Sequence, residues 1–173
     1  MSRRERAMVP PAEFRSYYGL PVLNKPTWQA ADIAGYLFLG GLAGASSTLG
    51  AAAELTGRHR LARPAKLAAA GALAAGLYAL VHDLGRPARF VNMLRVFKVT
   101  SPMSVGSWLL AGYGPLATVA AGATLAPRLQ PLGRVATVGA GLVGPAVAAY
   151  TGVLISDTAV PVWHEAYRQM PFL

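Results

Sequence analysis

Charged residues fall in bursts along this chain, and four long stretches between the bursts carry none: Ile33 to Ala53, Leu67 to Val81, Val99 to Pro127 and Val135 to Ser156. At a helical rise of about 1.5 Å per residue, about 20 residues cross a hydrocarbon layer of roughly 30 Å. Three of the stretches are long enough outright. The second is short, and crosses if Lys66 and His82 reach toward opposite interfaces or the bilayer thins around it. Helices of a soluble bundle would show charged stripes at the helical period, and these show none. The pattern predicts an all-α integral membrane protein: a four-transmembrane-helix bundle over residues 32–158, with interfacial segments at 1–31 and 159–173.

Finer signals mark how the elements begin, bend and meet. Pro10, Pro11, Pro21 and Pro26 break up the lead-in, whose Tyr17, Tyr18 and Trp28 suit a membrane interface. The lead-in lacks the apolar core and small-residue cleavage site of a signal peptide, so the first span is expected to direct insertion. Gly40 and Gly44 form a GxxxG through which another helix can approach closely. Pro102 fits a first helical turn, with Thr100 or Ser101 as its cap. Pro115 and Pro145 lie inside the third and fourth spans, where each frees a carbonyl that a neighbouring helix must satisfy.

Composition agrees with a membrane class, because only 13% of residues are charged against roughly 25% in soluble domains. The formal net charge of +9 sits in loops rather than on one helix face, which favours lipid headgroups over nucleic acid as counterions. Cysteine is absent, so disulfides, thiolate nucleophiles and iron–sulfur ligation within this chain are excluded. Four crossings would place 10 of the 16 cations on the side holding the N-terminus, the 82–98 loop and the C-terminus. The rule that cationic loops stay cytoplasmic gives that split little weight, so orientation stays open.

That same side gathers the titratable residues. Asp32 and Tyr36 open the first span, His82 and Asp83 end the second, and Asp157 ends the fourth, with Trp163 and His164 just beyond. Each has an ordinary structural explanation too: Asp32 as a dipole-favoured first-turn acid, Asp83 with Arg86 as a turn-fixing ion pair, His164 on the polar face of an interfacial helix. Together, however, they place phenol, imidazole and carboxylate at the rim of greasy helices, where polar groups are costly. A lipid-soluble quinol needs that combination, since its hydroxyl protons leave with its electrons while its tail stays in an apolar slot.

Three segments carry a family likeness: "YLFLGGLAGASS" (36–47), "HDLGRPARFVNMLRVFKVTSPMSVGSWLL" (82–110) and "YTGVLISDTAVPVWHEA" (150–166). They closely resemble the NrfD/polysulfide reductase membrane-subunit family. The resemblance implies the front half of an NrfD-like fold in a bacterial inner membrane, with the chain expected to be either a fragment or split product or one whose other half a second polypeptide supplies. It implies a quinone or quinol ligand (menaquinone or ubiquinone), no haem or metal in this chain, an iron–sulfur partner and a molybdopterin-type catalytic subunit. By motif position, Asp32 and Tyr36 fall where the family contacts the quinone head, replacing an amide and an imidazole of some members, and Tyr150 falls near another contact. His82, Asp83 and Arg86 match the signature loop, where a proton-path, structural or direct role stays open. The chain is thus expected to hold a quinone-reactive site, with the main catalytic centre in a partner. A small transporter would need a polar midplane site, which the spans lack. A haem anchor would need histidines within the spans, and His59, His82 and His164 lie outside them. A ligand-free assembly protein is the remaining alternative.

Overall fold

The computed structural model describes residues 18, 29–84, 88–157, 161–165 and 169. Most of the two flanking segments, Arg86 and the side chain of Trp163 lie outside the described residues. Four long helices dominate: α1 (Ala30–Leu55), α2 (His59–Asp83), α4 (Pro102–Gly122) and α5 (Gln130–Ser156). The short α3 (Arg89–Met93) lies in the 84–101 connection and α6 (Pro161–Glu165) follows α5, while a 3-10 turn at Pro127–Leu129 leads into α5. No strand occurs among the described residues.

The long helices pack around the ring α2–α1–α5–α4, with α1 against both α2 and α5, and α4 against α5 and more lightly α2. Alanine dominates the centre: Ala43, Ala72, Ala117 and Ala140 surround Leu73, Tyr113 and Val147. Large apolar residues such as Phe38, Leu42, Val135 and Leu142 point outward. Small residues inside and large ones outside is the arrangement of helices that meet in lipid, where close backbone approach replaces the hydrophobic drive. Tyr113 is fully buried; its hydroxyl donates to the Ala43 carbonyl at 2.7 Å and accepts from Ser47 Oγ at 2.7 Å. The buried Tyr113 hydroxyl is thereby satisfied.

Among the described residues, three helices are long and apolar enough to cross a membrane: Ala31–Leu55, His59–Asp83 and Pro127–Ser156. Two expectations change here. The second span is not short, because α2 starts eight residues before Leu67; Lys66 turns inward, its Nζ 2.8 Å from Glu54 Oε2. A lysine can join an apolar helix without snorkelling when a carboxylate on the neighbouring helix meets it. The third stretch forms a helix only over Pro102–Gly122, which is uncharged but carries serines, glycines, prolines, Trp108 and Tyr113 that lower its hydropathy.

The close contact foreseen at GxxxG is only half realised. At Gly40 an added Cβ would meet nothing, whereas at Gly44 it would strike the Gly144 carbonyl of α5. The α1–α5 seam therefore runs through Gly44, Gly141 and Gly144. Pro145 frees the Gly141 carbonyl four residues back, and Thr48 Oγ1 of α1 lies 3.3 Å from it, while also 3.0 Å from the Gly44 carbonyl. The neighbouring helix thus meets the carbonyl that proline left without a partner.

Candidate functional site

One end of the bundle holds the starts of α1 and α4 and the ends of α2 and α5. Asp32 in the first turn of α1 and His82 in the last turn of α2 meet there, Oδ2 to Nδ1 at 2.7 Å. Asp32 thus lies at the positive end of the α1 dipole and His82 at the negative end of the α2 dipole. The imidazole also stacks on Tyr78 one turn earlier, with centroids 6.0 Å apart. The His82 side chain remains about half exposed at 52%, against 21% for Asp32. Asp83 turns elsewhere: its Oδ1 accepts the backbone N–H of Gln29 at 2.9 Å, immediately before α1.

The α4–α5 side of this end is built from the serine-rich segment. Ser101 caps α4 by accepting from the Ser104 N–H at 3.4 Å, with Pro102 in the first turn, as the sequence predicts. Ser104 Oγ donates to the Val96 carbonyl at 3.0 Å and accepts from the Lys98 N–H at 3.0 Å. Trp108 Nε1 reaches the same Val96 carbonyl at 3.4 Å, and Phe97 packs edge-on against the indole. The loop before α4 is thereby folded back onto its first two turns. Tyr150 of α5 lies across Gly106, where any Cβ would collide with its ring, and its hydroxyl donates to the Pro102 carbonyl at 2.6 Å.

Tyr36 and Tyr150 line one cleft between α1, α4 and α5, walled by Gly40, Leu109, Leu110 and Val147. Its volume is about 20 Å3, room for a single water by the usual measure. A quinone head finds fitting chemistry here, a phenol beside apolar walls, but the cleft interior does not admit a ring. Of the expected site residues, Asp32 and His82 form one pair and Tyr36 and Tyr150 share one cleft. Asp157 sits exposed at the end of α5, His164 lies in α6, and Arg86 falls outside the described residues. Sequence reasoning passed over Ser104, Gly106 and Trp108 as individuals. Their signal was the density of serine and glycine around one tryptophan at a helix start.

Small residues within, large apolar residues without and three helices of spanning length define an integral membrane protein with a polar rim at one end. The model of the NrfD polysulphide reductase family matches residues 21–173, and the chain belongs to that family. Members are membrane subunits of oxidoreductase complexes, so this chain is a membrane anchor alongside other oxidoreductase subunits. No curated protein and no solved structure matches it.

Proposed function

We propose that the rim at the start of α1 is where this subunit exchanges electrons and protons with a quinone or quinol, passing the electrons to an iron–sulfur partner of a molybdopterin-type complex in a bacterial inner membrane. The Asp32–His82 pair carries the reading. With Nδ1 held by the carboxylate, His82 keeps Nε2 and its lone pair for a proton, and half the ring reaches outward. Asp32 orients that imidazole. Tyr36, one turn deeper on the same face as Asp32, offers a phenol to a ring oxygen, and the apolar cleft walls suit the ring's flank. Because the cleft is small, the head position in this reading is outside it, on the rim that carries Asp32 and Tyr36.

The catalytic role expected of His82 and Asp83 from the sequence stays with His82 alone, and Asp32 moves from ligand contact to positioning. His82 is the proton acceptor and Asp32 its positioning residue, while Asp83 holds the start of α1. Positioned acid–base groups contribute about 10²–10⁴-fold to a rate. His82→Gln is therefore expected to lower quinol-dependent turnover of the assembled complex by at least a hundredfold, and Asp32→Asn by less. Tyr36→Phe is expected to raise KM for quinol more than it lowers kcat. Unchanged turnover in all three, with the complex assembled, removes the rim from the reaction. The narrow cleft favours a second reading, a ligand-free anchor, under which a quinone analogue leaves the melting temperature of the chain unmoved.

A further inference from the structure

The opposite end of the bundle, where the sequence offers only Glu54 and His59 as acid and imidazole, holds a larger cavity of about 350 Å3. It opens between the α1–α2 turn and the α4–α5 turn. Glu54, His59, Arg63 and Lys66 line one side; Gln130 and Arg134 line the other. Lys66 is buried and paired with Glu54 at 2.8 Å, so those two charges cancel. Arg63 and Arg134 remain; neither makes an ion pair with a carboxylate of the described residues, and Arg134 is near enough to act electrostatically on the Glu54 carboxylate. The lining therefore carries a net excess of positive charge around one concave space, with both guanidinium groups exposed and open to an anion. Helices α2 and α5 both begin here, and their positive ends add to the same field.

We propose that this cavity binds a phosphate-bearing anion, held by the guanidinium groups of Arg63 and Arg134, with the Gln130 amide as a neutral donor and the Glu54–Lys66 pair as a fixed inner wall. Guanidinium matches phosphate bidentately, and two of them from different helical hairpins clasp one group from both sides. The volume lies within the range of small-molecule sites. An occupant would cross-link the α1–α2 hairpin to the α4–α5 hairpin at the end of the bundle away from the proposed quinone rim, so the site stands whether or not that rim binds quinone.

Two sources fit this chemistry: the headgroup of an anionic phospholipid, since the cavity lies at a membrane surface, or a phosphate from the aqueous phase. The full chain, purified in a maltoside detergent, is titrated with phosphatidylglycerol, phosphatidylcholine and inorganic phosphate, with chloride at equal ionic strength as the blank. Melting temperature and lipid retained in native mass spectrometry are read. Phosphatidylglycerol raising the melting temperature well beyond phosphatidylcholine identifies a lipid; inorganic phosphate doing so beyond chloride, without lipid preference, identifies a soluble anion. Arg63→Gln with Arg134→Gln is expected to weaken the effective probe at least tenfold, while Arg95→Gln, at the other surface, leaves it unchanged. Should the double variant fail to fold, each single variant is expected to weaken binding several-fold. No probe exceeding its blank on the unaltered chain, or equal binding by the arginine variants, overturns the proposal.

Discussion

At the scale of the residue, Asp83 poses the sharpest puzzle, because a carboxylate at the end of a helix has the wrong sign for that helix's dipole. The structure answers that it serves its neighbour: Oδ1 accepts the Gln29 N–H where α1 begins, at the positive end of an adjacent dipole. Losing a cap-like acceptor of this kind costs about 1 kcal/mol, and the exposed setting keeps it near that value. Asp83→Ala is therefore expected to lower thermal stability in detergent by about 1 kcal/mol. Asp83→Asn, which keeps an acceptor oxygen, should lose less than half of that, and turnover per folded complex should hold in both. Intact stability with lost turnover would return Asp83 to the proton path. The odd sign was visible in the sequence; the beneficiary was not, since Gln29 and Asp83 are 54 positions apart and meet only when α1 packs on α2.

At the scale of the element, the seam between α1 and α5 shows what a motif does and does not reveal. A proline inside an apolar helix announces a carbonyl in need of a partner, so Pro145 made its requirement legible. Which residue meets it depends on the rotation of α1, and that places Thr48 at the freed Gly141 carbonyl. GxxxG likewise announces close approach without saying which of its glycines makes it. Backbone lies directly over Gly144, where an added Cβ would be 2.5 Å from the Gly44 carbonyl oxygen. Gly144→Ala is expected to cost about 1–3 kcal/mol through overpacking against atoms that cannot rotate away. Gly40→Ala should be neutral or slightly stabilising, because Ala is the better helix former and space is open there. Thr48→Val should fall between, near the 0.6 kcal/mol or so typical of a hydrogen bond between helices in lipid. Unfolding of the three variants in one detergent checks the order; Gly40 as the most damaging would mean the helices meet along a different face.

For the whole molecule, the number of crossings is decided by packing more than by hydropathy. Three helices qualify by length and apolarity, and α4 falls short because its first half is spent on the serines and tryptophan that fold back the preceding loop. Yet α4 is 21 residues long, about 30 Å at the helical rise. Its start meets the end of α5 through Tyr150, and the residues after its end share a cavity with the α1–α2 turn. The two ends of α4 therefore sit at opposite ends of a bundle whose other three members are of spanning length, and an uncharged helix so placed is expected to cross as well. A segment's own polarity understates its burial when its polar atoms are already paired within the protein. The absence of native cysteine makes this directly testable with single cysteines and a membrane-impermeant maleimide on oriented vesicles. Ala88→Cys and Val99→Cys are expected to label from one face, Arg58→Cys and Arg128→Cys from the other. If α4 lay along the surface instead, Arg128→Cys would label with Val99→Cys, and α5 would run parallel to α1 rather than antiparallel to it, separating Thr48 and Ala51 from Gly141. The seam and the fourth crossing thus stand or fall together.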